Sequence, residues 1–151
     1  MIIPHKANIS EVDFYRGNLT RSEYVEELYK RSTMKHKFKY KGKIIACAGV
    51  LRSPNKSVNN YWQILTVDFP DNYIPLAFIK EFIEYGNKCL NRYKCLTVCL
   101  FDENNFARWL LLHGKKRAGW KVAAVGEGFN PNRTVYKIGD YPLMDYYAQL
   151  D

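Results

Sequence analysis

Apolar and polar residues along this chain recur in two periods, and the changes between them predict a series of strands and helices. Residues 44–51, IIACAGVL, form a nearly continuous apolar run, as expected of a strand buried on both faces. Residues 61–67 and 95–101 predict two more strands. Between them, apolar side chains return at helical spacing from about Pro75 to Arg92, which predicts a helix with proline in its first turn.

Shorter patterns predict the remaining elements. Thr20 and Glu23 have the spacing of a capping box, which predicts a helix running to about Arg31. The segment 35–51 predicts a hairpin that turns at Gly42. The other predicted elements are a short strand at residues 2–3, a helical region at 10–16, a helix that begins after the caps at 102–105 and ends near His113, and a final hairpin of strands 122–125 and 134–138.

The order of these elements predicts the fold class. A strand, a helix and a strand in succession between residues 61 and 101 indicate a parallel pair joined by a crossover, whereas the two hairpins indicate antiparallel pairs. The expected architecture is therefore α/β (α+β), a mixed central sheet with helices on both faces. The chain has no Ser/Gly/Pro-rich linker, so we expect a single domain over residues 1–138 and an aromatic C-terminal tail over 139–151.

Composition narrows the class of protein further. Hydrophobic residues make up 47% of the 151 residues, but no run is long and apolar enough to span a bilayer, and the N-terminus lacks the features of a signal peptide. We therefore expect a cytoplasmic protein. The four cysteines include no CxxC pair and no histidine at zinc-ligand spacing, which favours free thiols in the core and predicts no metal site.

The net charge of +8 is concentrated in two places along the sequence. Five lysines alternate through the first predicted hairpin: Lys35, Lys37, Lys39, Lys41 and Lys43. They form either an electropositive stripe for nucleic acid or an acidic partner, or a solvated face that protects a sheet edge from aggregation. A second cluster, Lys115, Lys116 and Arg117, is either solvated surface or a contact for phosphate groups.

The element order resembles the GNAT superfamily of N-acetyltransferases over most of the chain. Asn104 and Ala107 match the N-x-x-A start of a family helix, and Gly119-Trp120 is similar to the family's Gly-Phe. The resemblance implies that strand 61–68 diverges from strand 95–101 and that acyl-CoA enters between them. It also implies cofactor contacts at Val67, Asn104 and Ala107, with Asp68 as a candidate base for the amine.

Three departures from the GNAT pattern predict that catalysis has been lost. The family's glycine-rich diphosphate loop is replaced by DFPDNYIPLAFI, which has neither glycine nor a basic residue and carries Asp68 and Asp71. Leu111 occupies the position at which the family often places a tyrosine acid. The segment HGKKRA lengthens the connection to Gly119-Trp120 by about one turn.

The residues EFIEY, RYKCL and NNFARWL resemble more closely a family of small GNAT-like internal virion proteins of short-tailed bacteriophages. This resemblance implies a catalytically degenerate scaffold that acts in virion assembly or binds a phage or host protein, in the host cytoplasm or the virion, with no cofactor. Two alternatives stay open. The first is an active N-acetyltransferase that uses acetyl-CoA, and the second is a nucleic-acid-binding module that uses the lysine hairpin.

Overall fold

Strands and helices alternate through the residues that the computed structural model describes, which are 2–4, 21–51, 61–66, 73–102, 105–127 and 132–140. In chain order the elements are β1 (Ile2–Pro4), α1 (Arg21–Arg31), β2 (Thr33–Tyr40), β3 (Lys43–Leu51), β4 (Tyr61–Thr66), β5 (Tyr73–Pro75), α2 (Leu76–Tyr93), β6 (Cys95–Phe101), α3 (Asn105–Ala118), β7 (Val122–Glu127) and β8 (Arg133–Gly139). The predicted helical region at 10–16 and most of the predicted tail lie outside the described residues.

Six of the strands form one mixed sheet in the order β2-β3-β4-β6-β8-β7. The β4–β6 pair is parallel, with α2 as its crossover, and the other neighbours are antiparallel. The sheet is therefore two antiparallel halves, β2-β3-β4 and β6-β8-β7, that meet along a single parallel junction. This arrangement confirms the predicted mixed α/β architecture.

The first hairpin forms as its alternating pattern predicts. Lys41 and Gly42 link its strands with φ angles of 49° and 78°, the left-handed conformation that a two-residue hairpin turn requires. Lys35, Lys37 and Lys39 are exposed, while Phe38 is fully buried on the opposite side of β2.

Helices cover both faces of the sheet. Helices α2 and α3 pack on the face that carries Phe38, Leu96 and Ile138, and the large buried side chains of the core gather there. Helix α1 contacts β3 on the other face, where Ser32 lies so close to Gly49 that a methyl group at Gly49 would overlap its side chain. Bulky aromatic packing is therefore concentrated on the α2–α3 face.

The two ends of the sheet differ in how the backbone is connected. At one end, which we call the closed end, Asp140 N–H donates to Lys94 O at 2.7 Å and Gly139 N–H donates to Lys121 O at 2.9 Å. These bonds tie the last residue of β8 to the residues that precede β6 and β7. At the other, open end, β4 finishes at Thr66 and β6 finishes at Phe101.

Two element boundaries differ from the prediction. Helix α3 continues to Ala118, beyond the predicted end near His113, because buried Gly114 packs against the Trp120 ring. The turn after Gly114 is exposed and has no apolar periodicity, so the sequence pattern did not predict it. Pro75 is the N-cap of α2 and not part of its first turn, and the short strand β5 before it pairs with β1, a pairing that the apolar pattern did not predict. No helix among the described residues has the length and apolar character to cross a membrane.

Candidate functional site

The parallel junction between β4 and β6 is the feature that a GNAT-like site would use. Among the described residues, these two strands pair at Tyr61 and Thr97 alone, although β4 continues to Thr66 and β6 to Phe101. Beyond that point neither strand pairs with the other, so backbone groups on the facing edges are left for another partner. The divergence expected from the resemblance is therefore present in the fold, and it opens toward the open end.

The start of α2 differs from a diphosphate-binding helix. Pro75 is the N-cap and has no N–H, no side chain caps the first turn, and that turn holds no acidic residue. The backbone just before it, β5, is already paired with β1, with Ile2 opposite Pro75 and Ile3 opposite Ile74. A CoA diphosphate requires closely approaching backbone amides, which glycine permits. These described residues do not fit that group.

The start of α3 is held by a polar cluster. Arg108 donates through Nη2 to the backbone oxygen of Asp102 and, at 2.7 Å, to Asn105 Oδ1. Thr134 Oγ1 donates to Asp102 Oδ1 at 2.6 Å, and Asp102 N–H donates to Asn132 O at 2.7 Å. The side chains of Asp102 and Asn105 thus join α3 to the β8 entrance, which makes their roles structural.

Leu111, at the position where the family often has a tyrosine acid, lies in the core. Its side chain is 4% exposed and belongs to the cluster that includes Phe106, Leu110 and Trp120. A leucine side chain cannot donate a proton, and its burial also means that a tyrosine substituted here would meet packed side chains. No general acid is therefore supplied from this turn of α3.

Buried polar groups lie on β6 and β8 near the point of divergence. Thr97 is 2% exposed, and its hydroxyl has no hydrogen-bond partner within the described part of the chain. Arg133 is 6% exposed and its Nη1 lies 3.9 Å from Cys99 Sγ, the half-buried thiol two residues beyond Thr97. Sequence periodicity did not single out these residues, because each lies in or at the start of a segment whose pattern predicts only a buried strand.

The candidate residues that the resemblance suggested can be located only in part. Val67, Asp68 and Asn104 lie outside the described residues. Ala107 is half-buried in the first turn of α3 and packs against the core. The assignment of these four residues to a cofactor or catalytic role stays a prediction.

The basic residues occupy two separate surfaces. Lys35 and Lys37 place their Nζ atoms 5.4 Å and 5.2 Å from the centroid of the Tyr29 ring on α1, and Lys41 lies over its neighbour Tyr40 at 5.3 Å. Lys39 and Lys43 are exposed. The second cluster, Lys115–Arg117, does not follow α3 as expected but forms its exposed last turn, at the closed end.

A histidine–carboxylate contact joins β2 to α2. His36 Nε2 and Glu81 Oε1 are 2.7 Å apart, with both side chains more than a third exposed. The His36 ring stacks on Tyr85 at 5.6 Å and meets Phe38 edge-on at 4.6 Å. The contacts of this pair tie the edge strand to the helix. The 45-residue separation of the partners hid the pair from motif analysis.

The cysteines occupy the core as free thiols. Cys47, Cys89 and Cys95 are buried, and Cys99 is half-buried. Burial raises the pKa of the Cys89 thiol to about 11, against a smaller lowering by a hydrogen bond with Tyr85. Burial also raises the pKa of Cys47, with nearby Lys37 acting in the opposite direction. Within the described ranges, no group of three or more His, Cys, Asp or Glu side chains could hold a metal ion.

Comparison with known proteins bears on the fold. No protein-family model matches the chain, and a search of curated proteins gave no match. A Bacillus subtilis acetyltransferase solved in complex with CoA is similar over 91% of this chain and 99% of its own, at 9% identity and a TM-score of 0.50. GNAT-family acetyltransferases of Streptococcus pneumoniae (19% identity, 82% of this chain and 77% of that one, TM-score 0.44) and Listeria monocytogenes (10%, 85% and 83%, TM-score 0.45) are also similar. The likeness to the Bacillus subtilis acetyltransferase shows that this chain has a similar fold.

Proposed function

We propose that this chain is a binding protein on a GNAT-like scaffold that no longer transfers acyl groups from CoA. The start of α2 carries the proposal. Where the family has glycine amides open to a diphosphate, this chain has Pro75, which lacks an N–H, at the N-cap position, and β5 is paired with β1. The sequence from Asp68 to Ile79 adds two carboxylates and no basic residue, which disfavours a ligand with several negative charges.

Leu111 supports the same proposal from the side of chemistry. Acyl transfer from a thioester releases a thiolate, and a positioned acid that protonates it contributes typically about 10²–10⁴-fold to the rate. The buried leucine at this position cannot supply that proton. Loss of both the diphosphate site and the acid favours a retained fold with a different use.

Thermal unfolding with acetyl-CoA, CoA and pantetheine tests the proposal. A ligand at 100 times its dissociation constant would stabilise the fold by about 2.7 kcal/mol, which shifts the melting temperature by several degrees. We expect no such shift with millimolar acetyl-CoA. Adenosine 3′,5′-bisphosphate serves as the control for charge-driven binding, since it carries phosphates but no pantetheine arm. A shift with acetyl-CoA that the bisphosphate does not reproduce would contradict the proposal.

The resemblance to internal virion proteins supports a narrower form of the proposal, in which the protein binds structural proteins of a short-tailed bacteriophage during assembly, in the host cytoplasm. The tagged chain, expressed during infection by such a phage, should then sediment with purified particles in a density gradient. Recovery only in the soluble fractions would count against the assembly role and leave the loss of CoA chemistry untouched.

The divergence of β4 from β6 favours a second candidate, an N-acyltransferase that uses acetyl-CoA. Unpaired backbone at the facing edges could hold a pantetheine arm, and placing an amine against the thioester would supply part of the rate. Pantetheine distinguishes the candidates, because it lacks the diphosphate that α2 does not fit. Stabilisation by pantetheine together with acetyl-CoA turnover on an amine panel would establish the second candidate over the first.

A further inference from the structure

The last turns of α2 and α3 bring a group of exposed cations to the closed end of the sheet. Because β4 and β6 are parallel and α2 returns between them, α2 must end where β6 begins. Helix α3 leads from the end of β6 to the start of β7, which lies at that same end. The group, called here the closed-end cations, comprises Arg92, Lys94, Lys115, Lys116, Arg117 and Lys121, all exposed.

Among the described residues, one carboxylate, Asp140, lies within ion-pair distance of these cations. Lys121 Nζ lies 3.8 Å from Asp140 Oδ1, and both groups are well exposed. Arg92 lies over the ring of its neighbour Tyr93 at 5.5 Å. Among the residues that the structure describes, no other closed-end cation has a carboxylate within ion-pair distance. As far as the described residues go, most of the positive charge on this surface is therefore available to an external partner.

Part of the closed-end charge lies in the last turns of α2 and α3. A cation in the last turn stabilises a helix through its dipole by typically about 0.3–1 kcal/mol, and the negative end of that dipole favours a protonated histidine nearby. His113 lies one turn before Arg117, and its pKa is lowered, first by burial and then by Arg117 and Lys116. Lys116 and Arg117 therefore add to the effect of burial on this histidine.

The shape and polarity of this surface favour phosphate over protein. A recess of about 210 Å³ lies between Lys94 and Lys121. Its other lining residues are Leu90, Gly119, Trp120, Gly139 and one carboxylate, Asp140, which lies 3.8 Å from Lys121 Nζ. Protein interfaces are centred on exposed apolar and aromatic side chains. Here Trp120 is 5% exposed, and the large apolar side chains found exposed in the described residues, Ile44 and Leu112, are not among the recess residues. Positive charge is therefore the main feature that this surface presents to a ligand.

We propose that the closed-end cations bind the phosphate backbone of double-stranded nucleic acid without reading its sequence. The recess between Lys94 and Lys121 would receive one phosphate group, and the last turn of α3 would contact the next ones along the strand. Flexible lysines act as point charges and suit backbone contact more than bidentate base recognition. The site is separate from the β4–β6 divergence, which lies toward the other end of the sheet.

Fluorescence anisotropy with a labelled duplex of about 20 base pairs, at salt between about 50 and 200 mM, tests this proposal. Each phosphate contact adds about −0.9 to the slope of log affinity against log salt. The triple variant K115Q/K116Q/R117Q should flatten the slope by up to about 2.7 and weaken binding at low salt by about tenfold or more. The double variant K94Q/K121Q should flatten it by up to about 1.8.

The matched control is K35Q/K37Q/K39Q, which removes the same charge from exposed positions on the hairpin. It should leave the slope nearly unchanged, and circular dichroism should show both triple variants folded. Equal losses in the two triples, a loss confined to the hairpin triple, or no duplex binding at low salt would each overturn the proposal. Competition by polyglutamate as effective per charge as by duplex would also overturn it, in favour of an acidic protein partner.

Discussion

The two ends of the six-stranded sheet differ in how the backbone of their strands is paired. At the open end the strands part after Tyr61 and Thr97, and buried polar side chains such as Arg133 lie close by. At the closed end Gly139 and Asp140 donate backbone hydrogen bonds that lock β8 to Lys94 and Lys121. Tight backbone closure and exposed positive charge therefore coincide at one end of the sheet, while β4 and β6 diverge toward the other.

The largest expected effect concerns the closure at Gly139. Its φ is 99°, and a Cβ there would overlap the carbonyl oxygen of Lys94, so Gly139→Ala combines backbone strain with overpacking. We expect a loss of about 3 kcal/mol in the free energy of unfolding, measured by urea denaturation.

Gly119→Ala is the matched control for that variant. Gly119 also has a positive φ, 70°, but a Cβ there meets nothing within 4 Å. Gly119→Ala should lose only the free energy of unfolding that comes from backbone strain, about 1–2 kcal/mol. If both variants lose the same stability, the contact with Lys94 is not what closes this end of the sheet.

A second, smaller effect is a difference in reactivity between two thiols, Cys99 near the open end and Cys89 in the core. Cys99, beyond the point of divergence, is half-buried, whereas Cys89 on α2 is fully buried with a pKa raised to about 11. Thiolates are the reactive form, so we expect Cys99 to react with iodoacetamide at neutral pH on the order of 100-fold faster than Cys89. Mass spectrometry of peptides after timed labelling measures both rates, and comparable rates in the native protein would mean that the open end is no more accessible than the core.

The smallest effect is a pH dependence at the closed end. The pKa of His113 is lowered in the folded state, so below about 6.5 the unfolded chain binds a proton more readily and the fold loses stability as the pH falls. Urea denaturation at neutral pH and at about pH 5.5 should show a larger loss for the wild type than for His113→Gln.

The double variant K116Q/R117Q sharpens that measurement. It removes the two cations that lower the pKa of His113 but leaves its burial, the larger cause, in place. Its acid sensitivity should therefore fall between that of the wild type and that of His113→Gln. An unchanged acid sensitivity would show that the closed-end cations exert no field on this histidine.

Sequence patterns predicted most helices and strands well, because each of these elements buries the apolar side chains that recur at its own period. The run IIACAGVL and the spacing of Phe78 and Phe82 correspond to β3 and α2 in the structure. The last turn of α3 was missed because its position depends on Gly114 meeting Trp120, a tertiary contact. The β1–β5 pair was missed because strands of three residues are too short to show a period.

The candidate site was harder to predict than the fold. The lack of glycine and of basic residues in DFPDNYIPLAFI and the leucine at position 111 can be seen directly, because those features depend on residue identity alone. The gathering of Arg92, Lys94 and Lys121 at one end could not be seen, because these residues are distant in sequence and meet only through the crossover topology. Charge counted along the sequence had drawn attention to the hairpin lysines instead.

The pairing between Tyr61 and Thr97, the one that the described residues of β4 and β6 make, also defines a mechanical seam. On either side of it stand three-stranded antiparallel units, each held by several strand pairings along its length. Force applied across the sheet would part these two units before it disrupted either one, with α2 as the tether between them. Amide hydrogen exchange should reveal the same seam, with the facing edges of β4 and β6 exchanging faster than the interiors of the two units.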